Sequence, residues 1–181
     1  PPKLEEFYLR QNKINSLSPN AFENLPELIE LSLMFNEVPK LDDQLFRNNK
    51  KLKKIDLRGN DLKALTSSTF KDLSQLYFLD LSQNFIDKID EEAFADLENL
   101  KTLDLGDNNI KSLNENHFKA NKKLEYVSLR SNKIRSLSST MFDGFESLSG
   151  ISLNGNFCIS KEFSRFKFEQ FKSEVEKKCK K

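Results

Sequence analysis

Three sets of residues in this chain have types and spacings that bear on chemistry. Asp56, Asp80 and Asp104 recur every 24 residues, and so do Asn12, Asn36, Asn60, Asn84, Asn108, Asn132 and Asn156. Cys158 and Cys179, the only two cysteines, stand near the C-terminal end. The lone histidine, His117, has no Ser, Cys or acid at an equivalent place to orient it, so acid–base or nucleophilic catalysis has no constellation to work with. It reads as a surface residue. Two cysteines and one histidine are too few for a closed zinc site. The stretches GDNN (106–109) and NGN (154–156) read as turns rather than as a Gly-rich phosphate cradle. These residues exclude any obvious enzyme, metal or cofactor site and leave binding as the functional class.

The interval is the larger feature. Phe22, Phe46, Phe70, Phe94, Phe118 and Phe142 share it, which explains 16 phenylalanines in a chain without tryptophan. Leu4, Leu28, Leu52, Leu76, Leu100, Leu124 and Leu148 open successive units that read LxxLxLxxNxIxxLxxxxFxxLxx, from Leu4 to Asn156. A fixed period means one backbone circuit stacked on the next. The LxL pair alternates in and out, as a short strand with one buried face requires. Stacked circuits set such strands parallel, about 4.8 Å apart. The return path carries the Phe inward and is too short and too irregular for a long α-helix; extended chain, turns and short 3-10 segments are expected there. Each asparagine falls in the turn after a strand. An amide both donates and accepts, so it can satisfy main-chain groups left unpaired there, and the series is predicted to form a buried structural ladder.

This pattern resembles the leucine-rich repeat family, in the 24-residue form typical of extracellular proteins. The resemblance implies a right-handed β/α-type superhelical solenoid. Its concave side would be a curved parallel sheet of about seven short strands, and its convex side loops and 3-10 turns. It also implies an extracellular, non-enzymatic recognition module, secreted or part of a receptor ectodomain. With its simple cap the chain looks like invertebrate receptor ectodomains and secreted immunity factors, including the mosquito immune leucine-rich repeat proteins, although it lacks their coiled-coil tail. Family members often end in a cap opening on Asn-Pro with two disulfides. Here Phe157 replaces the Pro and one cysteine pair is missing.

Residues 157–181 leave the repeat and form the expected cap to the solenoid of 1–156. Phe163, Phe166, Phe171 and Val175 fall near helical spacing among Lys, Glu and Arg, which predicts an amphipathic capping helix. A Cys158–Cys179 disulfide would tie it down, adding about 3 kcal/mol; two free thiols are the alternative. At the other end Leu4 opens a repeat almost at once. That leaves an unpaired first strand, which implies either an upstream cap or a partner chain. The pattern frays at Asn49, Asn121 and Phe145, each in place of a Leu; a looser surface turn is expected at each, with a wetter convex edge at Asn49.

Charge sets further limits. Lys and Arg total 29 against 28 Asp and Glu, giving no global case for nucleic acid or an anionic membrane. No apolar run approaches the roughly 18 residues of a membrane span, and the opening PPKLEEFYL has neither the basic start nor the apolar core of a signal peptide. The lysine clusters at 50–54 and 119–123 are expected on the convex side or its edge and read as solvated turns. With no Asn-x-Ser/Thr sequon, the whole surface is open to partners. The concave face then holds the candidate ligand-binding residues: Tyr8, Met34, Phe35, Asp56, Arg58, Phe78, Asp80, Asp104, Asp107, Tyr126 and Arg130. Aromatic, Met and Arg side chains are the usual anchors of protein interfaces. Adjacent aspartates repel by about 1 kcal/mol per pair in water-like dielectric, so their column is either an acidic stripe for a basic ligand or cation, or a solvated structural feature. Gly106 is expected to leave a dip beside Asp104 and Asp107. The expected partner is a protein, with no nucleic acid, no membrane insertion of this segment, and a monomeric or weakly dimeric state. The competing reading is a self-associating structural protein that assembles through its N-terminal edge or convex side.

Overall fold

The computed structural model describes residues 3–164 and 168–179. Seven short strands stack in parallel: β1 Glu6–Tyr8, β2 Glu30–Ser32, β3 Lys54–Asp56, β5 Phe78–Asp80, β7 Thr102–Asp104, β9 Tyr126–Ser128 and β11 Gly150–Ser152. Pairing is in register, each residue beside its equivalent 24 positions on, as in Leu79 beside Leu103. The middle residue of each strand points inward; Leu31, Ile55, Leu79, Leu103, Val127 and Ile151 are buried. On the return path, two-residue strands pair as β4 Ala64–Leu65 with β6 Lys88–Ile89, and β8 Ser112–Leu113 with β10 Ser136–Leu137. Turns and one 3-10 helix, Glu115–Phe118, complete the convex side.

The spine phenylalanines form the far wall. From Phe22 to Phe142 the rings follow one another at centroid distances of 6.2, 6.3, 6.4, 5.9 and 5.8 Å, nearly parallel. Phe171 closes the stack edge-on against Phe142 at 5.5 Å. It lies on the helix α1, Phe168–Lys178, whose Phe171 and Val175 are buried together with the following Cys179. That four-residue spacing is one helical face.

The asparagines interlock neighbouring turns. Asn108 Nδ2 donates to Leu105 O in its own repeat and to Leu81 O in the one before, while its Oδ1 accepts the Ile86 N–H. Leu81 O also accepts from Asn84 Nδ2, so each strand-end carbonyl takes one amide hydrogen from its own repeat and one from the next. The same bonds recur from Asn36 to Asn156, all buried. Asn12 departs from the expected buried ladder. It is exposed; its Nδ2 donates to Arg10 O, and its N–H donates to Asn36 Oδ1.

Two further expectations change. Among the described residues β12, Glu162–Ser164, joins the seven parallel strands as an eighth, antiparallel to β11. Phe163 therefore sits in a strand rather than in the capping helix; the last parallel strand needs partners for its outer edge, and Leu153 N–H finds Lys161 O at 2.9 Å. Phe166 lies outside the described residues. The convex edge at Asn49 and Asn121 is dry, both side chains being fully buried. Asn49 Nδ2 donates to Phe22 O and Leu25 O, and Asn121 Nδ2 to Phe94 O and Leu97 O, so each amide clips its turn to the one before. Phe145 is buried too, edge-on against Phe142. Cys158 and Cys179 are joined by a disulfide, which resolves the choice against free thiols.

Candidate functional site

The outward residues of the strands form rows across the concave face. Register places Lys54, Phe78, Thr102 and Tyr126 side by side, and Asp56, Asp80, Asp104 and Ser128 in a second row. A third row, two residues after each strand, runs Arg10, Met34, Arg58, Ser82, Gly106, Arg130. The next residues, Gln11, Phe35, Gly59, Gln83, Asp107, Ser131 and Gly155, all have positive φ, from 51° to 75°. This left-handed step turns the chain off the sheet and aims its N–H at the following repeat, as Asp107 N–H does at Arg130 O, 2.8 Å away.

The three aspartates have a local structural job. Asp56 Oδ1 accepts the Arg58 N–H, Asp80 Oδ1 accepts both the N–H and the hydroxyl of Ser82, and Asp104 Oδ1 accepts the Gly106 N–H, at 2.6–3.1 Å. Each closes the end of its own strand. Partial burial still pushes the Asp80 carboxyl up from its ordinary value, against the Ser82 bonds, and the Asp56 charge adds to the rise. Burial also raises Asp104; the Gly106 N–H opposes it and the Asp80 charge adds to it. Burial thus outweighs the opposing Ser82 and Gly106 bonds and the Arg58 and Arg130 charges, and both carboxyls ionise less readily than a free aspartate.

Around this stripe the predicted residues form two groups. At the N-terminal end the Tyr8 hydroxyl lies 3.0 Å from carboxylate oxygens of both Glu6 and Glu30; bonding to Glu6, then to Glu30, pushes the phenol up to about 12. Arg10 lies over the Tyr8 ring at 5.0 Å and Arg58 over the Phe35 ring at 5.4 Å, with half-buried Met34 between them in the row. Toward the C-terminal end Arg130 pairs with Asp107 at 2.7 Å. Burial there raises the Tyr126 phenol, and the Glu162 and Asp104 charges add to the rise. Phe78 stands half-buried between the groups, beside Lys54, whose ammonium pairs with Glu30 at 2.6 Å. The expected dip at Gly106 is filled instead. A Cβ there would meet Asp104 Oδ1 at 2.9 Å and Arg130 Cγ at 3.0 Å, because the arginine stem folds across it to reach Asp107.

His117 corrects the sequence expectation of a surface residue. It is 9% exposed and caps the 3-10 helix, its Nδ1 accepting the Asn114 N–H at 3.2 Å. The signal was available: its equivalents Ala21, Leu45, Thr69, Ala93 and Met141 are small or apolar, so the position faces inward. The ring lines a convex cavity of about 570 Å³ with Glu91, Glu92, Ala95, Asn116, Lys119 and Ala120. Sequence reasoning missed this cavity, which the small side chains of Ala95 and Ala120 leave open. Among the described residues no group of three or more His, Cys, Asp or Glu could hold a metal ion, and no helix is long and apolar enough to cross a membrane.

The comparisons with known proteins agree with this architecture. The leucine rich repeat family model matches residues 1–38, 27–84, 50–110, 74–124 and 98–157. No curated protein matches the chain. Among solved structures, a crystal structure of a TLR13–ssRNA13 complex is similar at 31% identity over 80% of this chain, with a TM-score of 0.68. The chain spans 20% of the length of that one. With the repeat matched along nearly its whole length and the stacked parallel sheet in place, the chain belongs to the leucine-rich repeat family.

Proposed function

We propose that this chain is a non-enzymatic recognition module that binds a protein on its concave face, as a secreted protein or the ectodomain of an innate-immune receptor. The carrying observation is the lattice of outward side chains on a sheet whose every turn is fastened by buried asparagines. Side chains held in fixed rows lose little entropy on binding. The Cys158–Cys179 disulfide fits an oxidising, extracellular setting. The similar TLR13 structure is a complex with ssRNA13; for this chain the row of three carboxylates argues against a polyanion lying along the concave face. The test is affinity capture of a partner, followed by reversal of Asp80 and Asp104 to Lys. Binding is expected to fall at least tenfold, whereas unchanged binding overturns the concave-face reading.

Self-association is the second reading, favoured by the outer edge of β1, which no strand of the described residues covers, and by exposed Leu4 and Tyr8 beside it. Light scattering across concentration separates the two, since a dimer that survives dilution supports assembly and a monomer supports ligand binding.

A further inference from the structure

The centre of the concave face is acidic, but one row of its first three repeats is basic. In the row two residues beyond the strands, the first three positions are Arg10, Met34 and Arg58. Other cations of the face are matched, Arg130 by Asp107 at 2.7 Å and Lys54 by Glu30 at 2.6 Å. Arg10 and Arg58 form no ion pair among the described residues. Each guanidinium instead lies over a ring, Arg10 over Tyr8 and Arg58 over Phe35. Arg10 spends its Nε–H on the Ser32 hydroxyl at 3.2 Å. The Arg58 Nε–H is shut off from solvent and has no acceptor at all.

Stacking on an aromatic ring fixes the plane of a guanidinium, and its rigid fork of N–H donors suits a carboxylate. Arg10 and Arg58 lie two repeats apart, about 10 Å at the usual strand spacing, and a polyproline II segment advances about 9 Å in three residues while bringing its side chains back to the same face. Half-buried Met34 lies between them, with exposed Phe35 as its neighbour.

We propose that the Arg10–Met34–Arg58 row docks an extended acidic segment of the protein ligand. Two carboxylates three residues apart engage the two guanidiniums, and an apolar side chain between them packs on Met34 and Phe35. The proposal rests on the concave-face reading and adds the chemistry of the partner. Asp56 has its Oδ1 turned to the Arg58 N–H, and Glu6 and Glu30 stand in a separate row of the face. The stripe from Asp80 to Asp104 confines the acidic contact to the first three repeats.

The test is two-dimensional NMR of arginine Nε–H resonances, titrating the whole chain with a capped Gly-Glu-Leu-Pro-Glu-Gly peptide. The expected result is saturable shifts of the Arg10 and Arg58 signals, absent with the peptide carrying Gln for Glu. R58Q should weaken binding at least fivefold, and R58K, which keeps the charge without the fork, at least threefold. R47Q, at the convex pair with Glu23, should leave it within twofold. Equal shifts with the Gln peptide, or unchanged affinity in a folded R58Q, overturn the proposal. So does a single-stranded RNA oligonucleotide that binds these arginines more tightly than the Glu peptide. If a captured partner is lost on reversing Asp80 and Asp104 yet unaffected by R10Q and R58Q, the acidic-segment proposal falls while the concave-face reading stands.

Discussion

The ring of Phe35 occupies the space over Gly59, so that a Cβ on the glycine would fall 2.4 Å from Phe35 Cδ1 and 2.7 Å from Cε1. Tyr126 and Gly150 repeat the relationship, the added Cβ meeting the tyrosine Cδ2 at 3.0 Å. In both cases an aromatic side chain of one turn is seated on a glycine of the next. The seat holds a large ring in one place on the concave face before any ligand arrives, which lowers the ordering cost of binding.

Gly59→Ala tests that seat. Gly59 has φ +67°, so a methyl group costs about 1 kcal/mol from backbone strain alone, and displacing the Phe35 ring adds to it. Urea unfolding is expected to show a loss of about 1–3 kcal/mol. In the Phe35→Ala background the same substitution should cost only the strain, leaving a coupling of at least about 0.5 kcal/mol between the positions. Strict additivity would mean that the ring moves aside freely and is not seated.

The aspartate row makes a pH-dependent prediction. Asp80 and Asp104 have folded-state values raised chiefly by burial. Between the ordinary value of 3.8 and the raised one, the folded chain binds more protons than the unfolded chain. Their contribution to stability therefore falls as pH rises through that window, and at pH 7 both charges weigh against folding. Asp80→Asn keeps an oxygen for the Ser82 N–H and removes the charge, so it should stabilise at pH 7 by about 1 kcal/mol per relieved neighbour. The advantage should shrink as the pH falls through the raised value and vanish below 3.8. Glu30 and Glu174, held low by lysine bonds, lose their stabilisation as pH falls, but equally in both proteins. Thermal unfolding of the two proteins across pH reads the difference, and a constant gap would refute the sign.

The period alone made most of the fold legible. One interval placed the strands, the Phe stack and the asparagines, because a solenoid uses equivalent positions in equivalent ways. What the interval could not reveal lies where one turn differs from its equivalents. Asn49 and Asn121 break a leucine column, and polarity alone pointed to water; burial follows because each amide reaches carbonyls of the turn before. Phe163 fits helical spacing with Phe171, yet spacing says nothing of the β11 edge that claims it. Of the candidate site, the rows were readable from the repeat. Which arginines find an acid was not, since Arg10, Arg58 and Arg130 occupy one column and only Arg130 reaches a carboxylate.

The cap should be the first part to open when its disulfide is lost. The bond closes a separation of 21 residues, for which chain entropy gives about 3 kcal/mol. Without it, α1 is held by Phe171 and Val175 and by the ion pairs of Glu174 with Lys161 and Lys178, which are partly exposed and screened. In the Cys158→Ser/Cys179→Ser variant, amide exchange should accelerate in α1 and β12 well before it does in β3 or β5. Uniform acceleration along the chain would mean that cap and repeats open as one unit.

The two kinds of buried asparagine should differ in their response to leucine. Replacing Asn108 strips the only acceptor from the buried Ile86 N–H and removes one of two amide hydrogens from Leu81 O and from Leu105 O. A loss of about 2–4 kcal/mol is expected, with the bulkier branched side chain adding strain in the turn. Asn121→Leu has a different balance. Its acceptors Phe94 O and Leu97 O already take the N–H groups of Leu97 and Leu100, so neither carbonyl is orphaned. The substitution also removes Asn121 Oδ1, a buried oxygen with no hydrogen-bond partner, and restores the leucine of the repeat. Its effect should stay within about 1 kcal/mol in either direction. Chemical denaturation of both variants decides, and equal large losses would show that the amide at 121 is as structural as the ladder itself. Ligand binding per folded molecule should survive both changes, since neither side chain reaches the concave face.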